Sequence, residues 1–271
     1  MKKFTSALLA VTALTAANVF AAGAVESKTG AYLGGNVGAA NTNVKYSYAN
    51  QNVVASAAVA GVPTAAADRQ QNFKAEAGKM NPLFGLFAGY GMQVGQMYFG
   101  GEVYGGFDSA KVTAYDDSAT GKAAGYWKSS VKRTNFYGIA PRLGFFVTPS
   151  TMLFVKLGIE GGKWKAQVNP NAATIDAYTT ATSPSATAKD ISKRVASSTK
   201  NSISFTPGLG LDAFITKNLF LRAEYSYMFG PKITVTQDIG GYDNSVMAGT
   251  TTKHTFQITQ QSFKLGLGYK F

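Results

Sequence analysis

Large apolar side chains occupy every second position over the last nine residues of the chain. Phe263, Leu265, Leu267, Tyr269 and Phe271 alternate with lysine and glycine. Because successive side chains of a strand point to opposite faces, this pattern predicts a β-strand with one apolar face. That face could cover a protein core or contact lipid. The rest of the chain is needed to distinguish these environments.

The same alternation recurs along the chain and predicts eight strands. The connections after the second, fourth and sixth strands have three or four residues, whereas the others have about 25 to 35. Short turns alternating with long loops are typical of an outer-membrane barrel, and four β-hairpin repeats of a soluble protein are the alternative. The predicted strands span residues 31–44, 81–92, 97–108, 133–147, 151–167, 201–215, 219–229 and 256–271.

The N-terminus predicts export from the cytoplasm. Two lysines precede an uncharged, largely apolar segment, and small residues follow at Ala21 to Ala24. This is the pattern of a secretory signal peptide, here residues 1–24. A membrane anchor helix is the alternative, but Thr, Ser and Asn weaken the segment as a permanent span. The mature domain is therefore expected to comprise residues 25–271.

Composition favours a membrane β-barrel. Only 15% of the residues are charged, against roughly 25% in soluble proteins. The chain has 30 Gly, 14 Tyr, 18 Phe and no Cys. Beyond the N-terminus, no apolar run approaches the roughly 20 residues of a membrane-spanning helix. We therefore predict an all-β protein, an eight-stranded antiparallel up-and-down transmembrane barrel with long extracellular loops.

The two faces of the predicted strands differ in charge. One face is uncharged, as in Leu153, Val155, Leu157 and Ile159, and is expected to contact lipid. The opposite face carries four acids and four bases, which we expect to form paired charges that close the lumen. A water-filled lumen with solvated charges is the alternative. The predicted lumen network consists of Glu102, Arg142, Lys156, Glu160, Asp212, Arg222, Glu224 and Lys264.

Three positions fit the strand pattern poorly. Pro141 and Pro207 fall inside predicted strands, where proline removes a hydrogen bond of the ladder. We expect β-bulges to accommodate them. A further bulge at Gly161 and Gly162 would turn Trp164 from the lumen to the outer aromatic belt.

The signal peptide, eight alternating segments, loop rhythm and terminal Phe together resemble small Gram-negative outer-membrane barrels. The group includes the OmpA transmembrane domain, OmpX and the neisserial opacity proteins. The resemblance implies an outer-membrane location with extracellular loops and both termini periplasmic. It also implies a salt-bridged gate in the lumen. The residues Phe263, Leu265, Leu267, Tyr269 and Phe271 look like the C-terminal signal that the barrel-assembly machinery reads.

Basic residues gather near the predicted loops. At the outer rim they could bind lipopolysaccharide phosphates. Solvated loop charge is the alternative, and heparin-like glycans are a third possibility. Nucleic acid is excluded as a partner because the basic residues are scattered and the chain is exported. The candidate contacts are Lys128, Lys132, Arg133, Lys163, Lys165, Lys193, Arg194 and Lys253.

These residues predict a surface protein without enzymatic activity. The only histidine is His254, expected in a loop, and no metal cluster, nucleotide motif or cofactor site is evident. The predicted function is that of a structural or adhesin-like outer-membrane protein whose loops contact a host-cell ligand. A narrow porin that passes ions or small solutes is the alternative.

Overall fold

The fold is built from β-strands. A computed structural model describes residues 28–51, 72–115, 128–169, 196–238 and 251–271. The expected signal peptide lies outside the described residues. Within them, no helix has the length and hydropathy needed to cross a bilayer.

The strands close into a ring. Each strand pairs antiparallel with its neighbours, β1 pairs with β9, and β3 and β4 both pair with β5. Since β3 and β4 follow one another along β5, they occupy a single strand position of the barrel. The predicted eight-stranded barrel is therefore confirmed. The strands are β1 Gly30–Gln51, β2 Asn72–Val94, β3 Met97–Asp108, β4 Lys111–Tyr115, β5 Lys128–Thr148, β6 Thr151–Asn169, β7 Ala196–Phe214, β8 Leu219–Asp238 and β9 Thr251–Lys270.

The strands continue well past their predicted ends. Strand β2 has 23 residues, whereas about 9–11 residues suffice to cross a bilayer. The predicted ends at residues 44 and 229 were wrong, because β1 continues to Gln51 and β8 to Asp238. The long connections are correspondingly shorter than predicted. We call the end of the barrel opposite the short turns the extension: residues 43–51, 72–80, 111–115, 128–132, 162–169, 196–202, 230–238 and 251–259.

Polarity inverts where the extension begins. Lower in β6, Leu157 and Ile159 face outward, whereas in the extension Lys163 and Lys165 do so and Trp164 is buried inside. Lipid solvates the outward apolar rows below, while water solvates the outward lysines above. The extension therefore has its own apolar interior. Its buried core comprises Val44, Tyr46, Val112, Ala114, Val131, Trp164, Ala166, Val168, Met228, Ile233, Val235, Phe256 and Ile258.

The bulges lie elsewhere than predicted. Strand β5 shifts register between Arg133 and Phe136, and β8 shifts between Phe229 and Lys232. Pairing of β6 with β7 runs through Gly161 and Gly162 without a shift. Trp164 consequently stays inside the barrel, so its predicted move to the outer belt was wrong.

Pro141 and Pro207 are accommodated without bulges. Around Pro141, the β5–β6 ladder resumes in the same register after two unpaired positions. The β7–β8 ladder does the same around Pro207. Because proline lacks an N–H, it interrupts the ladder on one side without inserting a residue. The expectation of bulges at Pro141 and Pro207 was therefore wrong.

The polarity inversion leads to a mutational prediction. Leu157→Lys would place a charge on the lipid face and is expected to cost about 2–4 kcal/mol of unfolding free energy. The control is Gln257→Lys, which adds the same charge to an exposed position of the extension and should be nearly neutral. Urea unfolding in lipid vesicles measures both. Equal costs would contradict the inferred boundary between lipid and water.

Candidate functional site

The centre of the lumen contains a dense group of buried ion pairs. Arg222 Nε lies 2.7 Å from Asp212 Oδ1, and Arg222 Nη1 lies 2.6 Å from Glu102 Oε2. Arg142 Nη2 contacts Asp212 at 2.9 Å, and its Nη1 donates to the Tyr32 hydroxyl at 3.0 Å. Each arginine therefore joins carboxylates or hydroxyls from different strands.

Two lysines extend this group. Lys156 Nζ lies 2.7 Å from Glu224 Oε1 and 3.9 Å from Glu102 Oε1. Lys264 Nζ lies 3.1 Å from the same Glu224 oxygen. Because the pairs share partners, they form one connected set, which we call the central network. Its members are Glu102, Arg142, Lys156, Asp212, Arg222, Glu224 and Lys264.

An aromatic layer lies beside the central network on the turn side. The Arg142 guanidinium is centred 3.9 Å from the Phe154 ring, and that of Arg222 is 4.1 Å from the Phe87 ring. Cation–π contacts of this kind stabilise desolvated guanidinium groups. The layer fills the barrel between the network and its turn end. Its rings belong to Tyr32, Phe87, Tyr98, Phe146, Phe154, Phe214 and Phe220.

The first described residue covers the turn end of the barrel. Lys28 Nζ lies 4.7 Å from the centre of the Phe214 ring and donates to the Lys217 carbonyl at 3.4 Å. Its backbone N–H donates to Gln93 Oε1 at 2.8 Å. Because Gln93 lies next to the last residue of β2 and Lys217 lies in the β7–β8 turn, residue 28 bridges different sides of this opening.

A second group of charges lies on the extension side of the central network. Arg133 Nη1 is 2.8 Å from Glu160 Oε1, and its Nε is 3.7 Å from Asp108 Oδ2. Gln260 Nε2 also donates to Asp108. Glu160 therefore pairs in this upper group and not with the central network. Together the two groups contain five acids and five bases, so the buried charge balances.

Arg133 does not occupy the outer rim. Its side chain is only 2% exposed, so its assignment as a lipopolysaccharide contact was wrong. The β5 bulge is the reason, because it brings Arg133 and Phe136, three residues apart, onto the same inward face.

Sequence reasoning missed Asp108, Gln260 and Tyr32 as lumen residues. All three continue the even-numbered inward positions of their strands, as Glu102 does in β3 and Lys264 in β9. Strict use of the two-residue period would have identified them.

The buried position of Arg133 gives a matched mutational test. Arg133→Leu would leave Glu160 and Asp108 short of a partner and is expected to cost about 3 kcal/mol of unfolding free energy. Lys132→Leu changes the adjacent, outward-facing residue and should cost less than about 0.5 kcal/mol. Urea unfolding in vesicles compares them. Similar costs would place Arg133 outside the buried network.

Four of the other candidate rim residues are exposed on the extension. Lys132, Lys163, Lys165 and Lys253 point outward. The side chain of Lys128 and the residues Lys193 and Arg194 lie outside the described part. Sequence reasoning missed further exposed lysines of the extension, because it assigned their segments to loops or to no face. They are Lys45, Lys74, Lys79, Lys111 and Lys232, and Lys200 is exposed as well.

Exposed acids are scarce on the same surface. Among the described side chains of the extension, Glu76 is the exposed carboxylate, and it lies 3.2 Å from Lys45. The outer surface of the extension is therefore strongly basic.

His254 is buried in the extension core, so the prediction of an exposed loop histidine was wrong. Its Nδ1 lies 2.7 Å from the Tyr46 hydroxyl, and the two rings stack with centroids 6.0 Å apart. The position is inward because β9 begins at Thr251 rather than at residue 256.

The residues of the expected assembly signal lie in β9 and at the C-terminus. Leu265, Leu267, Tyr269 and Phe271 are exposed on the outer surface, and Phe263 is half-buried. Strand β9 pairs with both β1 and β8, so these residues border the point where the ring closes.

The closed ring of antiparallel strands agrees with comparisons to known proteins. A family model described as the outer membrane protein beta-barrel domain matches residues 6–271. The chain belongs to this family. Family membership identifies it as a bacterial outer-membrane barrel.

Individual known proteins are also similar to the chain. The 25 kDa outer-membrane immunogenic protein of Brucella melitensis is 32% identical over 120 residues, which cover 44% of this chain and 49% of the relative. The chain thus matches about half the length of that relative. OprG of Pseudomonas aeruginosa has the same fold, with a TM-score of 0.51 and 15% identity over 91% of this chain and 98% of OprG. Ail of Yersinia pestis matches at a TM-score of 0.34 and 14% identity, over 86% of this chain and 99% of Ail.

Proposed function

We propose that this outer-membrane barrel is a surface protein with a closed lumen, acting as a structural or adhesin-like component through the parts it exposes outside the cell. The observation that carries the proposal is the filled interior. The aromatic layer, the central network, the upper group of Arg133, Glu160 and Asp108, and the extension core occupy successive levels of the barrel. An eight-stranded barrel is only wide enough to be filled by such side chains.

A narrow porin is the second candidate, because charged residues line the interior at two levels. Their mutual pairing argues against it, since an ion would have to displace partners held at 2.6–2.9 Å. Purified protein in planar bilayers should give no continuous conductance steps. The control is protein that was unfolded by heat before reconstitution. Steady conductance steps from the folded protein but not from this control would support the porin and contradict the closed lumen.

The adhesin role concerns the connections at the extension end, which we propose to be extracellular, with the turns and both termini periplasmic. The test is limited protease treatment of intact cells, which should cleave only within residues 52–71, 116–127, 170–195 and 239–250. Deletion of residues 172–194 should then reduce binding to host cells, with deletion of 241–248 as the comparison. Cleavage in the short turns of intact cells would reverse the proposed orientation.

Lipopolysaccharide is the proposed lipid partner, and the barrel-assembly machinery is the proposed partner during insertion. The excess of lysine on the outer face of the extension supports the first proposal, because those lysines adjoin the apolar band where lipid headgroups lie. We further propose that the protein is not an enzyme. Lipid A modification that disappears in His254→Ala would contradict this.

A further inference from the structure

The ladder between β7 and β8 is interrupted inside the wall of the barrel. These strands pair continuously only from Gly208 to Phe214, with one isolated pair above, Phe205 with Phe229. In contrast, β6 and β7 pair without interruption from Thr151 to Val168. Among the described residues, positions 196–204 of β7 do not pair with β8, and positions 230–238 of β8 do not pair with β7. A seam therefore opens at the extension end of this wall.

Two prolines explain the seam. Pro207 interrupts the ladder on β7, and the bulge at Gly230 and Pro231 diverts β8. Neither proline can donate a backbone hydrogen bond, so the two strands do not pair again above Phe229. The backbone groups left unpaired above Phe229 lie in the extension, beyond the apolar band, where water or a polar lipid headgroup can hydrogen-bond them.

Apolar side chains line the base of the seam. Ile203 is 77% exposed, and the rings of Phe205 and Phe229 stack at 6.1 Å while remaining about half exposed to the outside. Tyr227 packs edge-on against Phe229 at 4.8 Å. This is the level at which the outward apolar band ends, so the base of the seam offers a surface for an acyl chain.

Lysines stand directly beyond this apolar base. Lys200 and Lys232 are exposed on the two strands of the seam, and Lys163 is exposed on β6, opposite Asn201 of β7. No described side chain of β6, β7 or β8 within the extension carries a carboxylate. The seam thus combines an apolar lower part with a cationic upper part, which complements an amphiphile with an anionic headgroup.

We propose that the β7–β8 seam binds one phosphorylated, acylated lipid of the outer leaflet. Its phosphate contacts Lys163, Lys200 and Lys232, and an acyl chain packs against Ile203, Phe205 and Phe229. The inference rests on the proposed lipid partner and gives it a defined site. One of these lysines, Lys232, is not among the basic residues that the sequence placed near the rim.

The test compares two matched double variants in nanodiscs titrated with bisphosphorylated lipid A, with native mass spectrometry counting the bound copies. Lys200→Gln with Lys232→Gln removes the seam lysines. Lys45→Gln with Lys79→Gln removes two exposed lysines from β1 and β2, which pair with each other without interruption. We expect lipid A affinity to fall about 30-fold in the seam variant and to stay close to that of the original protein in the control. The electrophoretic mobility of unboiled samples checks that both variants are folded.

The outcomes separate the site from the partner. Equal losses in the two double variants would mean diffuse contacts with the basic surface, so the seam site would fail while the lipid partner remained. Equal affinity of the original protein for lipid A and for its phosphate-free form would contradict the proposal of a phosphorylated lipid partner. It would also contradict the seam site, which depends on that partner. Phe229→Ala tests the apolar part of the site. It should lower the affinity for both lipid A and its phosphate-free form.

Discussion

Replacing Arg222 with methionine is expected to lower the free energy of unfolding of the barrel by about 5 kcal/mol. Arg222 donates twice to Asp212, at 2.7 and 3.0 Å, and lies 2.6 Å from Glu102. Methionine keeps much of the volume but leaves both buried carboxylates short of a cation. Urea unfolding in vesicles, followed by electrophoretic mobility without boiling, measures the change.

The control for this prediction is Lys232→Met, which removes a cation from an exposed position and should change stability by less than about 0.5 kcal/mol. Arg222→Met combined with Asp212→Leu should cost less than the sum of the two single changes, because each removes the other's unpaired charge. Additive costs would show that the two side chains are not coupled in the folded barrel.

The second large effect is expected from Phe271→Ser, through assembly in cells rather than stability. Phe271 is 70% exposed, and its ring packs against Tyr269 at 5.2 Å. Losing this contact should change the unfolding free energy by less than about 1 kcal/mol. If the terminal aromatic is read by the assembly machinery, as proposed, most of the protein should nevertheless fail to reach the outer membrane.

Two measurements separate these effects. Refolding of purified Phe271→Ser into detergent micelles should match the original protein, while the amount in isolated outer membranes should fall steeply. Ile215→Ser provides the control, since Ile215 is another exposed apolar residue near the turn end, 57% exposed, outside the proposed signal. Parallel loss in both variants would indicate a general need for apolar surface there and no terminal signal.

The inward faces of the membrane-spanning strands could be predicted from the two-residue period, and the barrel from that period together with the loop lengths and the composition. That period assigns Glu102, Lys156, Asp212 and Lys264 to the side opposite the uncharged rows, and their side chains lie inside the structure. The pattern is strong because a charge on the lipid face is costly, so few sequences violate it.

The failures arise where the period is interrupted or inverted. The β5 bulge moves Arg133 inward, and a bulge leaves no sequence signal that fixes its position. The predicted strand ends were wrong for a different reason. In the extension the outward residues are Lys and Thr and the inward ones apolar, as in a soluble sheet. Reading only for a lipid face therefore made β1, β2, β5, β7, β8 and β9 too short.

The two opposite polarities on continuous strands restrict how this protein can change length during evolution. Removing one residue between the apolar band and the extension would rotate every following side chain of that strand to the other face. Trp164 and its neighbours would then face water, and Lys163 and Lys165 would enter the core. Insertions and deletions within these strands should therefore occur in pairs of residues, or coincide with the gain or loss of a bulge.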